Sequence, residues 1–118
     1  MGSQYGTLRA SIAPEWQKKR VAQYIEEHLS ETVALAAFPE LAKLSQFHFV
    51  RAFKQSFGLP PHQYLSSRRM EKAMSLLENP STPVIQIALD VGFRDVNAFS
   101  TRFRKHTGFS PTIYRRSL

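Results

Sequence analysis

Residues 45–64 read SQFHFVRAFKQSFGLPPHQY, and residues 95–114 read DVNAFSTRFRKHTGFSPTIY. The second stretch repeats the first at an offset of 50 residues, with a capping residue, two Phe, a Gly, a Pro and a Tyr at matching positions. Such a repeat predicts two copies of one structural unit. In each copy the spacing indicates a capped helix of about three turns that ends at the Gly, after which the Pro begins another helix.

A shorter helix is predicted just before the second copy. Thr82 is its expected N-cap and Pro83 its first helical residue. An apolar face follows at Val84, Ile87, Ala88 and Val91. Gly92 is predicted to end the helix, and Phe93 to fill the core before the next one. Two short helices separated by such a turn are the sequence form of a helix-turn-helix.

The whole chain is therefore predicted to be all-α, with two helix-turn-helix lobes and a linker helix. Residues 1–13 show no periodicity and are expected to be a disordered start or an appended remnant. The first lobe is placed at residues 14–60, the linker helix at 61–78 and the second lobe at 79–118. The first lobe opens with a helix whose apolar face carries Val21, Ile25 and Leu29.

The charge of the chain indicates a polyanionic partner. Of 118 residues, 16 are Lys or Arg and 9 are Asp or Glu, and the net charge of +7 lies entirely beyond residue 50. A compact basic half attracts nucleic acid first and an acidic membrane surface second. A basic surface that is only solvated and binds no partner would carry the same net charge. No stretch is long and apolar enough to span a bilayer and there is no signal peptide, so a cytoplasmic protein without a membrane partner is expected.

Catalysis is not indicated by the sequence. The chain has no Cys, which excludes disulfides, thiolate zinc sites and cysteine nucleophiles. Its four His show no metal-ligand spacing, and no Gly-rich phosphate loop is present. We therefore predict no enzyme activity, no cofactor and no metal.

The outward faces of the two repeated helices are the candidate DNA-reading surfaces. Because the Phe pairs face inward, helical geometry fixes which residues face outward. Amide, hydroxyl, guanidinium and apolar groups at those positions suit the edges of base pairs in a major groove. The predicted base contacts are Gln46, Phe47, Val50 and Arg51 on the first helix, and Val96, Asn97, Ser100 and Thr101 on the second.

Flanking residues are the candidate phosphate contacts, which supply affinity more than sequence information. They are Ser45, Lys54, Arg94, Arg102, Arg104, Lys105 and Arg115. Ser45 and Asp95 are expected above all to cap their helices. Arg68 and Arg69 in the linker either reach phosphate or pair with Glu71 or Glu78, and the structural role is favoured.

Three motifs carry a family resemblance: YLxxxRMxxAxxLL from Tyr64, IAxxxGFxxxxxFxxxF from Ile87 and GFSPxxYR from Gly108. Over residues 14–116 the chain resembles the DNA-binding domain of AraC/XylS-type transcriptional regulators. The resemblance implies about seven helices in a homeodomain-like fold, with recognition helices in successive major grooves of double-stranded DNA. It also implies transcriptional regulation, commonly activation through RNA polymerase. An effector would act only through a further domain, and an excised C-terminal domain is favoured over a free-standing small regulator.

Two positions depart from the pattern of that family. Thr101 stands where the family usually has Arg, and Arg102 follows it about 100° around the helix, where a phosphate contact is expected. Pro39 lies inside the expected leading helix of the first lobe, which is therefore predicted to be kinked or to begin at Pro39. Two other functions stay open: docking of an acidic protein on the basic face and, more remotely, RNA binding, for which Phe47 is the lone aromatic platform.

Overall fold

The computed structural model describes residues 15–31 and 45–118, which form six α-helices and no strand. The all-α prediction is confirmed. The helices are α1 (Glu15–Glu27), α2 (Gln46–Phe57), α3 (Pro61–Leu76), α4 (Val84–Asp90), α5 (Val96–Thr107) and α6 (Pro111–Arg116). The predictions for residues 1–13 and for the helix around Pro39 lie outside the described residues. None of the helices described is long and apolar enough to cross a membrane.

Helices α2 and α5 begin at the two predicted caps. The Ser45 hydroxyl accepts a hydrogen bond from the backbone N–H of His48 at 3.2 Å. The Asp95 carboxylate accepts one from the backbone N–H of Asn97 at 2.8 Å. Each bond satisfies a backbone donor in the first turn, which has no partner inside the helix. The capping prediction is therefore confirmed in both copies of the repeat.

Both helices also end where the repeat predicts. Gly58 and Gly108 follow them with φ of 84° and 89°, and their N–H groups donate to the carbonyls of Lys54 and Arg104. Pro61 and Pro111 are the first residues of α3 and α6. The repeated sequence thus encodes a repeated local structure.

The start of α4 differs by one residue from the prediction. Pro83, and not Thr82, is the residue before the helix, with φ −63° and ψ 145°, and no side chain caps this end. The extended ψ of Pro83 keeps it outside the helix, and its carbonyl accepts the hydrogen bonds of Gln86 and Ile87. At the other end the helix closes at Asp90 with Val91 as its C-cap, and Gly92 follows in the left-handed conformation, as expected for a glycine that ends a helix, with φ of 93° and its N–H donating to the carbonyl of Leu89.

The described residues fall into two compact units, which we describe separately. Unit 1 contains residues 15–28 and 45–65. Its buried side chains include Val21 and Ile25 of α1 and Ala52 and Phe53 of α2. The Phe53 ring also contacts the rings of Phe49, Phe57 and Tyr64, with centroids 5.9, 4.4 and 5.6 Å away.

Unit 2 contains residues 29–31 and 66–118. Its core consists of Met70, Ala73, Leu77, Ile87, Ala88, Val91, Phe99 and Phe103, all at most 1% exposed. The Phe103 ring meets the edge of Tyr114 at a centroid distance of 5.3 Å, and Phe53 and Tyr64 form the same contact in unit 1. Phe93 packs against this core, as predicted. Phe53, Phe99 and Phe103 of the repeated pairs are thus buried in the cores of their units, whereas Phe49 is half-buried.

Arg69 attaches residues 29–31 to the rest of unit 2. Its Nε and Nη2 atoms donate to the carbonyl oxygens of Leu29 and Glu31 at 2.9 and 2.8 Å. Burial lowers the pKa of this guanidinium from its ordinary value, because desolvation disfavours the charged form. The expected structural role of Arg69 is confirmed, but its partners are main-chain carbonyls 38 and 40 residues away in sequence and not Glu71 or Glu78.

Candidate nucleic-acid interface

The outer surface of α2 combines apolar and cationic side chains. Phe47 is 68% exposed and Val50 is 38% exposed, although both side chains are apolar. Arg51 and Lys54 are exposed on the same helix. Gln46 begins the helix, but its side chain lies outside the described part of the chain. This surface therefore offers both apolar and cationic contacts to a partner.

The outer surface of α5 is polar by comparison. Asn97, Thr101 and Arg104 are exposed there, and Ser100 is half-buried. Val96 is also half-buried and packs partly against the core of unit 2, which leaves less of its side chain available to a ligand. The two helices are thus alike in caps and core but chemically different on their outer faces.

Cationic side chains border both faces. Lys54 is the basic residue in the last turn of α2, and Arg104 and Lys105 lie in the last turn of α5. Arg94, in the turn before α5, is exposed. Ser45 uses its hydroxyl as the cap of α2 and is also hydrogen-bonded to the His48 ring at 3.0 Å. Among the described residues, no group of three or more His, Asp or Glu side chains is placed to hold a metal ion.

Arg115, predicted to contact phosphate, is instead committed to the main chain. Its Nε donates to the carbonyl of Leu77 at 3.1 Å, and its Nη2 donates to those of Asn79 and Thr82 at 3.0 and 2.7 Å. These bonds tie α6 to the segment between α3 and α4. A guanidinium with its donors used in this way has little left for a phosphate, so we assign Arg115 a structural role.

Replacing Arg115 with Ala should lower the free energy of unfolding by about 2 kcal/mol, because carbonyls that a charged donor now satisfies would lose their partner. Arg116→Ala is the matched control, since Arg116 is the adjacent residue, carries the same charge and is exposed. Urea denaturation followed by circular dichroism measures both. Equal stabilities of the two variants would contradict the structural role.

One contact in this region was not predicted. The Arg102 guanidinium donates from Nη1 to the hydroxyl of Ser66 in α3 at 3.1 Å. No sequence signal identifies such a pair, because the two residues are 36 positions apart and both are ordinary surface types. Ser66 therefore joins the residues that border the outer face of α5.

Two capped helices on inward-facing aromatic stripes, α2 with an apolar and cationic outer face and α5 with a polar and cationic one, fit the class of helix-turn-helix DNA-binding proteins. A family model described as a helix-turn-helix domain matches residues 40–117. The chain belongs to the AraC-type helix-turn-helix family of transcriptional regulators.

Relatives and solved structures agree with this assignment. The transcriptional activator RhaS of Escherichia fergusonii is 39% identical over 93 residues, which cover 79% of this chain and 34% of that protein. The C-terminal domain of AraT, a response regulator from Geobacillus stearothermophilus, is 36% identical with a TM-score of 0.75, covering 86% of this chain and 84% of that one. The DNA-binding domain of AdpA, solved in complex with a target DNA, is 32% identical with a TM-score of 0.74, covering 85% and 90%. The chain thus spans about a third of the length of RhaS, but nearly all of the AdpA domain.

Proposed function

We propose that the chain binds one asymmetric double-stranded DNA site, with α2 and α5 as recognition helices in successive major grooves. The observation that carries this proposal is the equivalence of the two helices. Each has a capped start and a buried Phe at the matching position. Three matching outer positions are exposed in both helices: Phe47 and Asn97, Arg51 and Thr101, and Lys54 and Arg104. Helices of this kind read bases with their outer faces when they lie in a major groove.

The two outer faces would read different sequences. On α2, Phe47 and Val50 would contact thymine methyl groups and Arg51 would bond guanine. Gln46 would be the fourth base contact of this helix. On α5, Asn97 would bond adenine, with Thr101, Ser100 and the exposed part of Val96 beside it. Phosphate contacts would come from Ser45, Lys54, Arg94, Arg102, Arg104 and Lys105. Because the faces differ, the site should lack the two-fold symmetry of a palindrome.

Further aspects of the proposal rest on the relatives. RhaS is described as an activator, so we propose that this chain activates transcription, with RNA polymerase as a partner. The AraT domain is part of a response regulator, and the relatives are longer than the matched region. We therefore propose that the chain works within a larger protein whose additional domain receives the signal.

The decisive experiment is selection of bound sequences from a randomised duplex library at near-physiological salt. We expect one asymmetric motif whose two halves are centred about 10 base pairs apart, bound about a thousandfold more tightly than scrambled DNA. Inserting five base pairs between the halves should abolish this advantage, because the second half then faces the other side of the duplex. Equal affinity for all sequences with a steep salt dependence would contradict specific recognition and favour simple phosphate attraction. Binding to an acidic protein but not to duplex DNA would instead favour the docking alternative.

Two exposed cations of α2 offer a matched pair of variants. Arg51→Ala should make the free energy of binding to the selected site less favourable by about 1–3 kcal/mol, because a bidentate guanine contact is lost. It should also relax the sequence preference at a single base pair. Lys54→Ala should weaken binding to all sequences equally and lower the slope of log affinity against log salt by about 1. Electrophoretic mobility shifts at several salt concentrations measure both effects. If the two variants behaved alike, Arg51 would not be reading a base.

A further inference from the structure

The hydrogen bond between Arg102 and Ser66 joins a recognition helix to the helix that precedes the second helix-turn-helix. Arg102 lies in α5 and is exposed, whereas Ser66 lies in α3 and is half-buried. Both residues belong to unit 2. Helix α3 is not one of the two helices of the helix-turn-helix, so this bond brings a residue from outside the motif to the edge of the candidate DNA surface.

The chemistry of this bond differs from that of the other two arginines tied down in unit 2. Arg69 and Arg115 donate to two and three main-chain carbonyls, respectively, and both are half-buried. Within residues 15–31 and 45–118, the Ser66 hydroxyl is the only hydrogen-bond partner of the Arg102 guanidinium. A guanidinium has five N–H donors, so most of those of Arg102 stay available.

A hydroxyl partner orients a cation without neutralising it. A carboxylate in the place of Ser66 would cancel most of the field of the guanidinium, whereas a neutral hydroxyl leaves the full positive charge. Holding one Nη atom also reduces the conformational freedom that a long side chain would otherwise lose on binding. The guanidinium is therefore held at one Nη atom and keeps its positive charge. Its remaining N–H donors are exposed and can bind two oxygens of a phosphate.

The position of Arg102 agrees with a phosphate rather than a base. It follows Thr101, which is at one edge of the outer face, and so lies about 100° around α5 from Thr101, on a flank of the helix. When a recognition helix enters a major groove, side chains on its flank approach the sugar-phosphate backbone. Arg102 therefore lies beyond the edge of the surface that reads bases, on the flank of α5 that carries its hydrogen bond to Ser66.

We propose that Ser66 is a positioning residue, which holds Arg102 in place to bind one phosphate of the DNA backbone. This inference rests on the proposed function, and it adds α3 to the elements that determine DNA affinity. The DNA contact is made by Arg102, and Ser66 acts through it. The contribution is independent of sequence, because every duplex presents the same phosphate.

Three single variants test this proposal on both the selected duplex and a scrambled one. Arg102→Gln should weaken binding to both by about tenfold and reduce the salt slope by about 0.9, because one phosphate is no longer neutralised. Ser66→Ala should weaken binding by about threefold with an unchanged slope, since the charge is kept and only its placement is lost. Ser66→Asp should reduce the slope as Arg102→Gln does, because the new carboxylate would pair with Arg102.

Ser75→Asp is the control for added charge, because Ser75 is an exposed residue of the same helix. It should weaken binding less than Ser66→Asp does. In the Arg102→Gln background, Ser66→Ala should have no further effect, as expected for residues that act through one contact. Circular dichroism at the assay temperature establishes that each variant is folded.

Either of two results would overturn the inference: additive effects of Ser66→Ala and Arg102→Gln, or the same salt slope for Ser66→Asp and Ser75→Asp. Failure of the proposed function is a separate outcome. If no motif is enriched from the library, specific recognition fails, but the salt slopes on scrambled DNA still show whether Ser66 positions Arg102.

Discussion

Replacing Phe103 with Ala should destabilise unit 2 by about 3–5 kcal/mol, the usual cost of removing a fully buried Phe side chain. Phe103 is 0% exposed and contacts the rings of both Phe99 and Tyr114. A unit of this size has a net stability of only a few kcal/mol, because little apolar surface is available to offset the entropy of the chain. We therefore expect unit 2 of the variant to be largely unfolded at 37 °C.

Ile113→Ala is the control for Phe103→Ala, because Ile113 is a large apolar side chain of unit 2 that is 52% exposed. Its replacement should change the stability by well under 1 kcal/mol. Urea denaturation gives the size of each effect, and hydrogen exchange shows whether amide protection is lost in α4, α5 and α6. A loss below 1 kcal/mol for Phe103→Ala would mean that the core of unit 2 does not depend on the aromatic stripe.

The elements most accurately predicted from sequence are those whose start, core face and end are all encoded locally. Helix α5 has its cap at Asp95, its buried stripe at Phe99 and Phe103, and its stop at Gly108, and each of these signals lies within the helix or beside it. The outer face then follows from helical geometry alone. Asn97, Thr101 and Arg104 are exposed on that face as predicted, whereas Val96 and Ser100 are half-buried and only partly fit the prediction.

The boundary at Pro83 shows where local rules become ambiguous. A Thr-Pro pair fits equally well as a cap followed by the first helical residue, or as two residues before the helix. The fold selects the second arrangement, in which the carbonyl of Thr82 accepts a hydrogen bond from Arg115. That partner is 33 residues away, so no local pattern contains the information.

The roles of individual arginines were the least predictable part of the candidate site. Arg102 and Arg115 both lie in or near basic stretches, and each reads as a phosphate contact in the sequence. The tertiary structure separates them, because Arg115 reaches three main-chain carbonyls whereas Arg102 meets one hydroxyl. These long-range acceptors exist only in the folded chain, and they leave the two guanidinium groups with different numbers of available donors.

Replacing Gly92 with Ala should lower the free energy of unfolding of unit 2 by about 3 kcal/mol, for two separate reasons. Gly92 has φ of 93°, a backbone conformation that costs a residue with a Cβ about 1–2 kcal/mol. In addition, a Cβ at this position would lie 2.8 Å from the carbonyl oxygen of Leu29 and 3.1 Å from Cζ of Arg69. That oxygen already accepts the hydrogen bond of Arg69 Nε, so it cannot move away without weakening the attachment of residues 29–31.

Gly108→Ala separates the two reasons. Gly108 lies in the same unit with a similar φ of 89°, but a Cβ there would have no atom within 4 Å. Its replacement should therefore cost only the conformational part, about 1–2 kcal/mol, and the difference between the two variants measures the steric conflict with Leu29. Urea denaturation of both proteins under the same conditions provides that difference. If Gly92→Ala were no less stable than Gly108→Ala, the close approach of residues 29–31 to the turn of the second helix-turn-helix would not contribute to stability. If it is less stable by the expected margin, Gly92 is required because the turn must both adopt a left-handed conformation and leave room for the Leu29 carbonyl.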